Sequence, residues 1–317
     1  VTTTTTTLEP TTTTDSAAPV ATPTNALVAA DRKVVGVFGN GAFHWVGDGF
    51  RVTQVLPSGP RAQQLISPFL MLDYHAPHHY EPTTRPRGVG VHPHRGFETV
   101  TLALEGAIAH HDSTGAGDVI RPGDVQWMTA AKGILHKEYH EPEWAKAGGL
   151  MHMVQLWVNL PAANKMDEPG YQPLLAADMG VVPFDGGTVT VIAGEHAGVA
   201  GPARTHTPIQ MWRVELDADG AFDFDVPSTD NVMVLAMEGS IDANGTAVGE
   251  HHLALFENEG DRVRLSAGAA GAHVLVLAGT PIDEPVVSYG PFVMNTVDEI
   301  QQAYEDFARG AFGHLDD

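Results

Sequence analysis

Short apolar runs recur every 8 to 12 residues along this chain, separated by Gly, Pro, Asp and Asn, and this cadence limits the fold more than any other feature. Runs such as Val125-Gln126-Trp127-Met128-Thr129, or Ile209 to Leu216, are strand-length and too short for ordinary helices. Strands at this spacing predict antiparallel sandwiches or jelly rolls, an all-β protein. The 34 Gly and 22 Pro supply the many turns such a fold needs. In the first half Phe69-Leu70-Met71-Leu72-Asp73-Tyr74 reads as a buried strand, followed by His75, His78, His79 and a Pro-rich loop from Glu81 to Arg87. In the second half the strands are read at Thr188 to Ala193, Ile209 to Leu216, Ala221 to Val226, Asn231 to Met237, His252 to Phe256, Arg262 to Ser266 and His273 to Ala278. Leu104-Glu105-Gly106 and Met237-Glu238-Gly239 each precede a hairpin, which suggests an internal duplication.

The 317 residues accommodate two domains. Residues 1–30 are Thr, Ala and Pro with almost no large apolar groups, so they read as a disordered arm that cannot offset its ordering entropy. The division expected beyond it is 31–162 for the first β domain, 163–295 for the second, and 296–317 for a helix and tail. Val297 to Phe307 places apolar residues at 297, 300, 303, 304 and 307, the spacing of an amphipathic helix, with Thr296 and Glu299 forming a capping box.

Two short motifs carry the chemistry. His92-Pro93-His94 and His136-Lys137-Glu138 lie 42 residues apart, counted from His94 to His136. Side chains alternate faces along a strand, so His92 and His94 point one way, and so do His136 and Glu138. Two such strands facing each other across a small barrel bring three imidazoles and one carboxylate together. Nitrogen ligands with one hard oxygen suit a divalent first-row ion. The second half has no His-x-His: His251 and His252 are adjacent and point to opposite faces, so that half is expected to be metal-free.

The remaining candidates carry blander readings. His75, His78 and His79 are expected to be solvated loop residues, and His110 and His111 structural or exposed. Trp127 and Trp157 are expected in the core rather than against a substrate. Arg95 and Gln155 are candidates to support a ligand through a hydrogen bond. The net charge of −22, from 39 acidic and 17 basic residues, repels phosphate backbones and argues against direct nucleic-acid binding. Without Cys, disulfides, thiolate metal sites and a cysteine nucleophile are excluded. With no long apolar run and no visible secretory signal, no membrane association is expected, and the default is a cytoplasmic monomer.

His-Pro-His-Arg-Gly-Phe-Glu-Thr-Val (92–100), Pro-Gly-Asp-Val-Gln-Trp-Met-Thr-Ala (122–130), Gly-Ile-Leu-His-Lys-Glu (133–138), Gln-Leu-Trp-Val-Asn-Leu (155–160) and Gly-Pro-Phe-Val-Met-Asn-Thr (290–296) resemble the pirin family of the cupin superfamily, over about residues 33–312. The resemblance implies a bicupin, two β-sandwich barrels with a short C-terminal helix and one metal in the N-terminal barrel. Its ligand set falls on His92, His94, His136 and Glu138. Glu98 fits the general cupin spacing after His-x-His, but the resemblance assigns the carboxylate to Glu138. Iron(II) is the first metal expected, with manganese, nickel, copper and zinc compatible. The activity implied is a quercetin 2,3-dioxygenase-like oxygenation of a small aromatic or enol-type substrate with O₂, Glu138 acting as the catalytic base. The alternative implied is a redox-sensitive metalloprotein that regulates a transcription factor or metabolic enzyme as a protein partner.

Overall fold

The computed structural model describes residues 30–39 and 41–317. The expected arm at 1–30 therefore lies outside the described residues but for Ala30, and so does Asn40. Four sheets carry the architecture, and every pairing within them is antiparallel. The first large sheet has seven strands in the order Gly170–Leu174, Val125–Thr129, Phe97–Glu105, Gly149–Asn159, Phe69–Tyr80, Phe50–Gln54 and His44–Val46. A four-stranded sheet packs against it, in the order Gly88–His94, Ile134–His140, Ile108–Asp112 and Gly117–Ile120. The second half repeats the plan with seven strands and four, so the duplication read from the hairpin motifs extends to the whole sandwich.

Strand alternation assigns each face. On Phe69–Tyr80, Leu72 and Tyr74 point away from the first sandwich, and on Gly149–Asn159 so do Val154, Leu156 and Val158. They meet Met233, Leu235, Leu253, Leu255, Leu275 and Leu277 of the second half in one continuous apolar core. The two large sheets thus pack back to back, and each fully buried Leu or Val there contributes about 1.5–3 kcal/mol. The second sandwich is filled by its own apolar cluster, including Val234, Val263, Leu265 and Phe256. The interior cluster of the first sandwich is much smaller, because polar side chains take the remaining inward positions.

Strand pairing crosses residue 162 in both directions. Val34–Phe38 pairs with Leu253–Phe256 in the second large sheet, and Gly170–Leu174 pairs with Val125–Thr129 in the first. The seven strands expected in the second half each lie within one residue of their expected bounds. The C-terminal helix spans Val297–Ala308 and carries the expected capping box of Thr296 and Glu299. Two further helices, Pro60–Ile66 and Pro142–Ala147, lie in segments the strand cadence passed over. One expectation is corrected: His75, His78 and His79 lie on the long Phe69–Tyr80 strand, not in a loop, and His75 is fully buried. Gly149–Asn159 pairs along almost its whole length and carries the chain past Pro77 as an extended strand.

The segment after the second sandwich returns to the first. Val293 N–H donates to the Arg95 carbonyl at 3.0 Å, and the buried Lys165 ammonium donates to the carbonyls of Gly96 (2.6 Å) and Val293 (3.1 Å) and to Asn159 Oδ1 (2.6 Å). Gly96 adopts φ +87°, and a Cβ there would lie 1.9 Å from the Val293 carbonyl oxygen. Gly96→Ala is expected to cost roughly 3 kcal/mol, because both the left-handed backbone and the close approach exclude a side chain. Chemical denaturation checks this, and an unchanged midpoint would show that the return segment is not held as described.

Candidate metal centre

The two motif strands are neighbours in the four-stranded sheet, not strands facing each other across the barrel as expected. His136 pairs directly with His92, and Ile134 with His94. Directly opposed residues on neighbouring strands carry their Cβ atoms about 4.5–5.5 Å apart, so adjacency brings the rings together more closely than a face-to-face arrangement. Ring centroids are 4.2 Å apart for His92 and His136, and 4.9 Å apart for His92 and His94 and for His94 and His136. The nearest ligand-type atoms of the three lie within 4.8 Å of one another.

The hydrogen bonds leave coordinating nitrogens free. His92 Nδ1 donates to the Gly90 carbonyl at 2.8 Å and His94 Nδ1 to the Pro291 carbonyl at 3.3 Å, which leaves both Nε2 lone pairs available. His136 is 1% exposed, and neither of its ring nitrogens has a partner. A buried, unpartnered imidazole costs about 1–3 kcal/mol, and a metal ion satisfies it. Burial, followed by the nearby imidazoles, pushes the pKa of His136 well below the ordinary histidine value and that of His94 down to about 3. Both are therefore neutral near pH 7, as ligands must be.

Glu138 is 5% exposed and held by donors. Gln126 Nε2 donates to Oε1, Gln155 Nε2 to Oε2 at 3.0 Å, and Thr101 Oγ1 to Oε1 at 3.4 Å. A bulge separates His136 from Glu138 in the pairing with Gly88–His94. Glu138 groups with His136 and with His110, the residue directly opposite it on Ile108–Asp112. His110 is fully buried, stacks on Tyr171 at 4.8 Å, meets Asp112 Oδ2 at 3.2 Å through Nε2, and has no partner at Nδ1. From the sequence His110 is expected to be structural or exposed. The alternation applied to the other motifs would have separated it from the exposed His111.

The other candidates distribute clearly. Glu98 is buried away from the triad, accepting from Thr129 Oγ1 at 2.7 Å and His206 Nδ1 at 3.1 Å. The Arg95 guanidinium turns to the Lys132 carbonyl, to Asp306 and to the Phe312 ring, so it anchors the C-terminal segment rather than a ligand. Trp127 lies in the core as expected, whereas Trp157 lines the cavity beside the triad, with its ring centroid 5.3 Å from that of His94. That cavity has a volume of about 320 Å³ and lies between the two sheets of the first sandwich. The triad and Glu138 occupy one wall, and Met71, Asp73, Met153, Gln155 and Trp157 the other. Gly290 and Pro291 complete it, so the return segment from the second half helps to close it.

Residues 49–158 match the family model described as Pirin, and residues 211–313 the one described as Pirin C-terminal cupin domain. The chain is 48% identical over 283 residues to a Pseudomonas aeruginosa protein named "Putative quercetin 2,3-dioxygenase PA2418", covering 89% of this chain and 98% of that one. It is 42% identical over 269 residues to a Caulobacter vibrioides pirin-like protein, covering 84% and 94%. A solved quercetin 2,3-dioxygenase from Acinetobacter baumannii superimposes with a TM-score of 0.86 at 45% identity, over 90% of this chain and all of that one.

Proposed function

The chain belongs to the pirin family, and from that premise we propose that it is a dioxygenase using one divalent metal ion, iron(II), held by His92, His94, His136 and Glu138, with a flavonol such as quercetin as substrate. The observation that carries this reading is the buried His136 ring, whose two nitrogens have no partner beside the free Nε2 atoms of His92 and His94. The donor set fits the ion: imidazoles held neutral by burial and one buried carboxylate. The naming of the Pseudomonas and Acinetobacter relatives supports the substrate class.

The ion, once bound, supplies Lewis-acid stabilisation of an oxyanion and the redox chemistry that dioxygen requires. The protein supplies the rest. The Gly90 and Pro291 carbonyls hold His92 and His94 in the coordinating tautomer. Glu138 takes the proton of the substrate hydroxyl, and Gln126, Gln155 and Thr101 fix its carboxylate while it does so. Val46, Phe50, Val52, Met153 and Trp157 give an apolar wall for a flat aromatic ring.

The test is an anaerobic mixture of iron(II)-loaded protein with quercetin, followed by admission of O₂. The expected result is loss of flavonol absorbance with release of carbon monoxide, both absent without metal or without O₂. No turnover by fully loaded protein would sink the flavonol reading and favour a role exerted through protein partners.

A further inference from the structure

Asp73 is a carboxyl group in the cavity that the proposed metal site does not use. It is 7% exposed, and Asp73 and Glu138 are the two carboxyl groups in the cavity lining. They sit on opposite walls. Asp73 pairs with Gln155 on the neighbouring strand, and the Gln155 amide reaches across to Glu138 at 3.0 Å. The two carboxyl groups differ in their partners. The Glu138 oxygens accept from three side chains, whereas among the described residues no group donates to the Asp73 carboxyl. On the same wall the lining is Val52, Met71, Met153, Gln155 and Trp157, and the Gln155 amide opposite Asp73 is directed to Glu138 instead, while His44 acts on Asp73 through its charge and not through a hydrogen bond. The Asp73 oxygens line the cavity without a protein donor among the described residues, so a ligand seated there can supply the missing partner.

We infer that Asp73 is a specificity-determining acceptor: it receives a hydrogen bond from a second hydroxyl of the substrate, beyond the hydroxyl that engages the metal side of the cavity. The substrate class is thereby narrowed to polyhydroxylated aromatic enols. Burial also raises the Asp73 carboxyl above the usual carboxylate range, with His44 partly opposing, as expected for an acceptor awaiting a donor. A site built around such an acceptor discriminates against analogues that lack the hydroxyl, because they leave the carboxyl unpaired.

This inference rests on the flavonol reading, and the experiment separates the two. Anaerobic iron(II)-loaded protein is titrated with quercetin and with 3-hydroxyflavone, which keeps only the 3-hydroxyl, and metal content is measured in every sample. In Asp73→Asn the preference for quercetin over 3-hydroxyflavone is expected to fall about tenfold, the loss of a charge-assisted hydrogen bond. Asp73→Ala, with full metal content, is expected to lose at least as much. A preference unchanged in both variants, or equal weakening of both ligands, overturns the assignment of Asp73 while leaving the flavonol reading intact. Failure of both flavonols to bind the loaded wild-type protein overturns both.

Discussion

His136→Ala is expected to abolish stoichiometric metal binding and oxygen-dependent turnover together. His136 sits at the centre of the site: it is paired with His92, near His94, and grouped with Glu138 and His110. Its loss removes the one residue common to both clusters of side chains that could hold a metal ion. Metal affinity should fall by more than the roughly 10–100-fold that loss of a supporting hydrogen bond costs. A second readout separates this from misfolding. Metal at about a hundred times its dissociation constant should stabilise the wild type by about 2.7 kcal/mol, and the variant not at all. The metal-free variant also sheds the cost of an unpartnered buried imidazole, so its own folding need not suffer. Metal analysis and thermal melts with and without iron(II) check both. A variant that retains one equivalent of metal and the same thermal shift would remove His136 from the ligand set.

Metal-free protein is expected to lose stability steeply as the pH falls from about 6.5 to 4. Two histidines outside the proposed ligand set drive this. Burial lowers His75 from 6.5 to about 4 and His152 from 6.5 to about 3. Their stabilities follow the same sign. Above 6.5 both states bind no proton on these rings. Between 6.5 and the lowered folded value the unfolded chain takes up protons that the folded chain refuses, so acid favours unfolding. At 1.36 kcal/mol per pH unit per group, each contributes a loss on the order of 3 kcal/mol by pH 4. His94, lowered to about 3, adds to it in the same direction. Against a typical domain stability of about 5–15 kcal/mol, the metal-free chain should unfold in this window. His152→Gln keeps a donor for the Tyr74 hydroxyl, which His152 Nε2 meets at 2.8 Å, and should flatten the profile by about one group's slope. Denaturant midpoints across the pH range, in the presence of a chelator, provide the measurement. A flat profile would show that these rings are not held neutral by burial.

The cadence of short apolar runs was enough for the all-β class, because strand period and turn chemistry are local properties. The seven second-half strands read from it recur in the sheets, Ile209–Leu216 with the same bounds. Local chemistry also explains why the helix cap at Thr296 and Glu299 was legible. The alternation rule placed His92 with His94, and His136 with Glu138, on common faces, which the pairing register preserves for the three imidazoles. It could not choose between strands that face each other and strands that lie side by side, since register belongs to the pair and not to either strand.

Other features depended on contacts between residues far apart in the chain. His75 has the local sequence of a loop residue, and its strand partner is Gly149–Asn159, more than 70 residues later. Asp73 looked like one polar residue in an apolar run, and only the meeting of two sheets makes it the second carboxyl of a cavity. The Gly290-Pro291 motif had a sequence but no evident purpose until the chain returned to cap that cavity and set the tautomer of His94. Local period and turn chemistry place many of the strands and the alternation within them, and the two short His motifs supply the donor types a metal needs. The tertiary structure decided which inward faces share a cavity, because that depends on sheet packing and chain return, which no local period encodes.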